Sequence, residues 1–126
     1  MLDTRNAPVN VYLSAGSNIV PEHYLRMACQ ALEASYGELM LSSVYRNPAV
    51  GFKGGDFLNM VIGLSTCDTP EQIVANLERL HQRAGRRRQS NPFCSRTLDL
   101  DLLLYGDVVC QQPKLPHGDI AKYGFV

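Results

Sequence analysis

The sequence lacks four features that would place it in other classes of protein. No apolar run approaches the roughly 20 residues that span a bilayer, and residues 1–8 contain no apolar segment typical of a signal peptide. It has no CxxC pair, and its formal net charge is zero, from 12 basic and 12 acidic residues. Its four cysteines therefore favour reduced thiols over a disulfide framework or a zinc site. We expect a cytoplasmic protein that does not bind membranes.

Two common catalytic signatures are also missing. Gly54-Gly55 lacks the Gly-Lys-Ser/Thr ending of a Walker loop. No Ser-His-Asp or Cys-His set has the spacing of a nucleophilic site. The 126 residues, 45% of them hydrophobic, suit one domain with a core of its own. We expect a single domain over residues 1–126 that is a monomer, with residues 1–8 as a loose tail.

Hydrophobic periodicity predicts the element order β-α-β-β-α-β. The predicted strands are 9–14, 38–44, 57–65 and 97–105, and the predicted helices are 21–36 and a segment from the Thr69 cap to Gly85. Ala15-Gly16-Ser17-Asn18 is expected to break the first strand, and residues 47–55 form a Gly- and Pro-rich loop. This order predicts an α+β fold, a ferredoxin-like βαββαβ sandwich whose antiparallel sheet carries both helices on one face.

Two aspartates alternate with leucines in the last predicted strand. Residues two apart in a strand point the same way, so Asp99 and Asp101 project together while Leu98, Leu100, Leu102 and Leu104 face the core. Two carboxylates at this spacing suit hard cations such as Mg²⁺, which recruit phosphate oxygens. By itself the same pattern is typical of a solvated strand face. Without further support, a solvated face is favoured over a metal site.

Arginines supply that support. Half of all basic residues lie in a stretch without Asp or Glu: Arg79, Arg83, Arg86, Arg87, Arg88 and Arg96. Guanidinium groups donate bidentate hydrogen bonds to phosphate and keep their charge, so this stretch beside two carboxylates predicts a phosphate-rich ligand that brings a metal. RNA binding is less favoured, because the central strands carry no RNP-like aromatics and the pI is about 6.8.

Taken together, the motifs resemble the 6-hydroxymethyl-7,8-dihydropterin pyrophosphokinase (HPPK) family. The resemblance runs from about Val11 to Val126. Its landmarks are Ala15-Gly16-Ser17-Asn18, residues 43–48, Phe57-Leu58-Asn59, Gly85-Arg86-Arg87-Arg88, residues 96–101, Pro116-His117 and Gly124-Phe125. Membership implies transfer of pyrophosphate from ATP to the hydroxymethyl group of a reduced pterin, which yields AMP in a step of folate biosynthesis.

The resemblance also implies roles for individual residues. Two Mg²⁺ ions would be held by Asp99 and Asp101. Catalysis and ATP binding would involve Arg86, Arg88, Arg96, Leu102 and His117, although a lone loop histidine is more often merely solvated. The pterin would be bound by Asn47, Pro48, Val50, Phe57, Asn59, Phe93 and Phe125.

Several positions depart from the family pattern. His81 stands where a Glu near the nucleotide is usual, although on its helix it looks partly packed. Phe93 replaces a Trp, Gln89 a basic residue, Gly118 an aromatic and Tyr123 an arginine. The family's last strand and closing segment are expected to be missing from this sequence. These departures keep a second function open, that of a weakened paralogue that binds pterin or nucleotide without efficient turnover.

Overall fold

The computed structural model describes residues 7–48, 54–85 and 97–107, and the backbone of 110–111 and 114–115. Within these described residues, two helices and seven strands follow one another. Their bounds are β1 Val9–Ser17, α1 Pro21–Tyr36, β2 Met40–Leu41, β3 Tyr45–Asn47, β4 Phe57–Thr66, α2 Pro70–Arg83, β5 Asp99–Tyr105, β6 Cys110–Gln111 and β7 Lys114–Leu115.

Five of the strands form one antiparallel sheet. Its order is β2-β4-β1-β5, and β3 pairs with the first residues of β4, ahead of the part that pairs with β2. The short strands β6 and β7 pair with each other. The expected mixed architecture, an antiparallel sheet with two helices, is therefore confirmed.

Alternate residues of the strands, those on one face of the sheet, form the hydrophobic core. Val11, Leu13 and Ala15 of β1 are at most 1% exposed and lie in one cluster with apolar residues of both helices. Their partners across the sheet belong to the same cluster, namely Met60, Ile62, Leu64, Leu100 and Leu102. Because alternate strand residues point to opposite faces, the residues between them form a second face. We call it the polar face and define it by Ser14, Gly16, Asn59, Asp99 and Asp101.

The first two strands differ from their predicted bounds. β1 continues through Ala15, Gly16 and Ser17, which pair with β4, so the predicted break at Ala15 is wrong. The single strand predicted over 38–44 is also wrong, since the chain forms β2 and β3 on either side of Ser42. There the Ser42 hydroxyl accepts the Val61 N–H at 2.8 Å. A side chain thus takes a bond that a backbone carbonyl would take in an unbroken ladder.

A β-bulge changes which leucines of β5 reach the core. The β1–β5 register shifts between Tyr12 and Leu13, so that Leu104 lies opposite Tyr12. Leu104 is only partly buried, whereas Leu103 is 1% exposed. The expectation that Leu104 faces the core is wrong, because the extra residue of the bulge reverses the alternation after Leu102.

A capping box starts α2. The Thr69 hydroxyl accepts the Gln72 N–H at 3.2 Å, the Gln72 side chain accepts the Thr69 N–H at 2.8 Å, and Pro70 takes the first helical position. These bonds satisfy two amide groups that have no partner within the helix. The predicted start of the helix is confirmed.

Substituting Thr69→Ala is expected to lower the free energy of unfolding by about 1 kcal/mol, because it removes one half of the box. Urea denaturation of this variant beside Thr69→Ser, which keeps the hydroxyl, measures the effect. Equal losses in both variants would show that the hydroxyl bond does not stabilise the helix.

Two cysteines have described side chains, and neither is in a disulfide: Cys29, half-buried on α1, and the exposed Cys67. Burial, and secondarily Glu33, raises the pKa of the Cys29 thiol. Neither described helix is long and apolar enough to cross a membrane.

Candidate active site

Asp99 and Asp101 lie on the polar face, as their spacing predicts. Each is partly buried and alternates with leucines of the core, since Leu98, Leu100 and Leu102 are at most 4% exposed. Asp99 lies opposite Gly16 and Asp101 opposite Ser14 on the neighbouring strand β1. Both carboxylates therefore project from one edge region of the sheet, away from the helices.

A row of four residues runs across the sheet from Asp99. Gly16 pairs with Asp99 on one side and with Asn59 on the other, and Asn59 pairs in turn with Tyr45. We call Asp99, Gly16, Asn59 and Tyr45 the Gly16 row. Residues paired across antiparallel strands share a face and lie about 5 Å apart at Cα, which places the Asp99 and Asn59 backbones about 10 Å apart with only a glycine between them.

Four of the seven residues predicted to bind the pterin lie at the other end of this face. Phe57 precedes Asn59 by two positions on β4, so both belong to the same face, and Phe57 pairs with Asn47 of β3. Pro48 follows Asn47 and is exposed. The structure thus brings an aromatic ring and two amides together, two to three strands away from the aspartates.

Gly16 leaves room for the Asn59 side chain. A Cβ at position 16 would lie 2.6 Å from Asn59 Oδ1 and 3.7 Å from its Cγ. The carboxamide of Asn59 therefore extends over the backbone of β1, toward the strand that carries the aspartates. An alanine at position 16 would displace it.

Asn18 fastens the segment that leads into β4. Its side chain is 7% exposed, and its Nδ2 donates a hydrogen bond to the Gly55 carbonyl at 3.2 Å. Gly55 is two residues before Phe57, so this bond ties the start of β4 to the end of β1. It fixes the backbone from which the Phe57 ring projects.

His81 supports the strand that carries the aspartates. It is 6% exposed at the end of α2, and its Nε2 accepts the Leu100 N–H at 2.8 Å. Because Nε2 accepts, the proton of the neutral ring lies on Nδ1, which is 3.2 Å from Glu78 Oε2. The expectation of a partly packed histidine is confirmed. The Leu100 amide lies between Asp99 and Asp101, so His81 holds this part of β5.

Substituting His81→Ala is expected to lower the free energy of unfolding by about 1–3 kcal/mol, because the buried Leu100 N–H loses its acceptor. Urea denaturation measures the loss. Gln82→Ala is the matched control: Gln82 is exposed on the same helix and should change stability by less than about 0.5 kcal/mol. Similar values for the two variants would mean that the histidine bond does not stabilise β5.

Other predicted site residues are not brought to the polar face or lie outside the described residues. The side chain of Leu102 is 4% exposed in the core, so only its backbone remains for a ligand. The residues outside the described ranges are Val50, Arg86, Arg88, Phe93, Arg96, His117 and Phe125.

The donor set on β5 fits magnesium. Mg²⁺ takes hard oxygen ligands and is commonly held by one or two carboxylates together with water and substrate phosphates. Asp99 and Asp101 provide two carboxylates from one strand. Within the described ranges, no third Asp, Glu, His or Cys joins them in a metal-binding cluster. These residues suit an ion that arrives with a phosphate ligand better than a closed protein cage.

The sequence pattern did not assign two residues of this site. Gly16 and Asn18 belong to a motif that was expected to break β1 and was a landmark of the family resemblance, but neither residue was given a role. In the structure Gly16 accommodates Asn59 and Asn18 anchors Gly55. The available signal was a glycine between small residues late in an apolar strand. Such a glycine often marks a place where another group lies close against the strand backbone.

Comparisons with known proteins place the chain in a family. A family model described as 7,8-dihydro-6-hydroxymethylpterin-pyrophosphokinase (HPPK) matches residues 12–126. Three curated relatives are named 2-amino-4-hydroxy-6-hydroxymethyldihydropteridine pyrophosphokinase. The Aquifex aeolicus protein is 32% identical over 119 residues, covering 91% of this chain and 74% of the relative. The Haemophilus influenzae protein is 33% identical over 124 residues, covering 94% and 77%, and the Bacillus subtilis protein is 32% identical over 121 residues, covering 91% and 72%.

The match therefore spans nearly the whole chain and includes β1, β4 and β5, the strands that carry the Gly16 row and the aspartate pair. The family predicted from the sequence motifs is confirmed, and the chain belongs to the 7,8-dihydro-6-hydroxymethylpterin-pyrophosphokinase (HPPK) family.

Proposed function

We propose that the protein transfers pyrophosphate from ATP to 6-hydroxymethyl-7,8-dihydropterin, giving AMP and the pterin diphosphate. Family membership supports the reaction class. The observation that carries the proposal for this chain is the polar face, where the carboxylates of β5 and the amide-and-aromatic group of β3 and β4 lie on either side of Gly16. Such a face can hold a charged donor at one end and a flat heterocycle at the other.

In the proposed reaction the hydroxymethyl oxygen forms a bond to the β-phosphorus of ATP. The bond between that phosphorus and the oxygen bridging to the α-phosphate breaks, AMP leaves with the electron pair, and the hydroxyl proton passes to solvent. Negative charge grows on the departing AMP, so cationic groups near the phosphates lower the barrier. Arg86, Arg88, Arg96 and His117 are proposed to provide such contacts.

Asp99 and Asp101 are proposed to hold two Mg²⁺ ions, which when bound would neutralise the phosphate charge. The structure of β5 supports this role, because His81 fixes the intervening Leu100 amide while both carboxylates stay on the polar face. The backbone near Leu102 is proposed to contact ATP, since its side chain lies in the core.

Asn59 is proposed to bind the polar edge of the pterin, because a carboxamide both donates and accepts hydrogen bonds. Phe57 offers a ring that can stack on the flat heterocycle, and Asn47 and Pro48 border the same area. Val50, Phe93 and Phe125 are proposed to complete this subsite.

We also propose that the fold is the ferredoxin-like arrangement. If β2 and β3 are counted as one interrupted strand, the elements from β1 to β5 have the order β-α-β-β-α-β, which is the order of the ferredoxin-like arrangement. The two interior strands, β1 and β4, then supply Gly16 and Asn59 at the middle of the polar face.

Incubation with ATP, Mg²⁺ and 6-hydroxymethyl-7,8-dihydropterin tests the activity. We expect AMP to be released with the wild-type protein and to fall to background with Asp99→Ala. No AMP above this control would overturn the proposal. Calorimetric titration of the pterin would then separate two cases: binding without product indicates the weakened paralogue, and no binding of either substrate removes both functions.

A further inference from the structure

Gly16 occupies the middle of the polar face, between the two groups of residues that the proposed function uses. It pairs with Asp99 of β5 and with Asn59 of β4. Its own backbone does not need glycine, because its φ lies outside the left-handed region, where Gly37, Gly85 and Gly106 are found. An ordinary strand residue fits this conformation, so the need for glycine arises from the neighbouring side chain.

That neighbour is Asn59. A Cβ at position 16 would lie 2.6 Å from Asn59 Oδ1, closer than real Cβ atoms approach another heavy atom. Asn59 is partly buried on an interior strand, and its carboxamide extends over the backbone of β1. Adding one methyl group would push the carboxamide up and away from the sheet.

We infer that Gly16 is a positioning residue that determines pterin affinity by letting Asn59 lie flat across β1. This inference rests on the proposed function, in which the Asn59 amide binds the pterin edge. A carboxamide that lies flat over Gly16 leaves the space above the sheet between Asn59 and Asp99 free. The pterin ring can then pack against the sheet with its hydroxymethyl group toward the carboxylates. If the carboxamide is pushed away from the sheet, its hydrogen-bond donor and acceptor no longer lie level with the polar edge of the pterin ring.

The expected effect of Gly16→Ala is selective for one substrate. The Kd for 6-hydroxymethyl-7,8-dihydropterin should rise about 10- to 100-fold, the range for losing well-placed hydrogen bonds to a polar ligand edge. The Kd for MgATP should change by less than about threefold, because the aspartates lie on the other side of Gly16. A general loss of structure would weaken both substrates together.

Gly63 provides a matched control in the same sheet. It lies on β4, four residues after Asn59 and therefore on the same face, and pairs with Tyr12 of β1. A Cβ there would lie 3.1 Å from Cε1 at the ring edge of Tyr12, a residue that is 37% exposed. Because this ring can tilt, Gly63→Ala should leave the pterin Kd within about twofold of wild type.

A double-mutant cycle with Asn59→Ala separates positioning from other effects of the methyl group. If Gly16 acts through Asn59, adding Gly16→Ala to Asn59→Ala should change the pterin Kd by less than about threefold. A full additional loss of tenfold or more would overturn the inference. So would a Gly16→Ala variant that binds the pterin as tightly as wild type.

The test also covers poor folding and failure of the proposed function. If Gly16→Ala does not fold, the double variant should fold with the Tm of Asn59→Ala, because the clash has been removed. An unfolded double variant would overturn the inference. If the wild-type protein itself does not bind the pterin, the proposed function fails, an outcome distinct from wild-type binding that Gly16→Ala leaves unchanged.

Discussion

Replacing Asp101 with Asn is expected to lower kcat about 10³-fold or more, which corresponds to about 4 kcal/mol of transition-state stabilisation. The amide keeps the shape of the carboxylate but removes the charge that would hold Mg²⁺ against the phosphates. Asp101 lies on the polar face opposite Ser14, away from the core cluster. The protein should therefore keep its fold, and the loss should appear in turnover at saturating substrates.

Two control variants sharpen this prediction. Asp107→Asn removes an exposed carboxylate from the turn that follows β5, and its kcat should stay within about twofold of wild type. Arg88→Ala removes one of several proposed phosphate contacts and should cost far less than Asp101→Asn. A kcat for Asp101→Asn above a tenth of the wild-type value, or equal losses for Asp101→Asn and Arg88→Ala, would contradict the metal role.

The largest expected effect on stability is that of Leu13→Ala. Leu13 is fully buried in the central strand β1, between Ile62 of β4 and Leu102 of β5, and belongs to the cluster that includes both helices. Its truncation removes apolar contacts and leaves a cavity under the sheet. The free energy of unfolding should fall by about 3–5 kcal/mol, a large part of the total stability of a small domain.

Urea denaturation followed by far-UV circular dichroism measures this loss. Asn10→Ala is the matched control, since Asn10 is exposed on the same strand with the opposite parity, and it should change stability by less than about 0.5 kcal/mol. A loss below about 1 kcal/mol for Leu13→Ala would mean that β1 is not the centre of the core.

Local signals were sufficient for the helices and for the aspartate face. Proline near the first turn and glycine after the last residue delimit α1 at Pro21–Tyr36, and the Thr69–Gln72 box starts α2 where predicted. The alternation around Asp99 and Asp101 separates charged from buried positions, because successive residues of a strand point to opposite faces. In each case the interacting residues are close in the sequence, so the local pattern of residue types is enough to predict the structure.

Long-range contacts account for the errors. Ala15-Gly16-Ser17 has a turn-like composition, yet its pairing with β4, and that of Ala15 and Gly16 also with β5, keeps it extended. The gap between β2 and β3 depends on the Ser42 hydroxyl meeting Val61, 19 residues away. The bulge at Leu103 and the bond from Leu100 to His81 likewise involve partners that no local window contains.

The reaction products provide the most direct test of the central claim, that the polar face supports transfer of a diphosphate unit. ATP, Mg²⁺ and 6-hydroxymethyl-7,8-dihydropterin are incubated with the wild-type protein, and nucleotides and pterins are separated by chromatography with ³¹P detection. The account predicts AMP and pterin diphosphate in equal amounts, with neither product formed by Asp99→Ala. ADP with a pterin monophosphate, or product formation that survives Asp99→Ala, would contradict it.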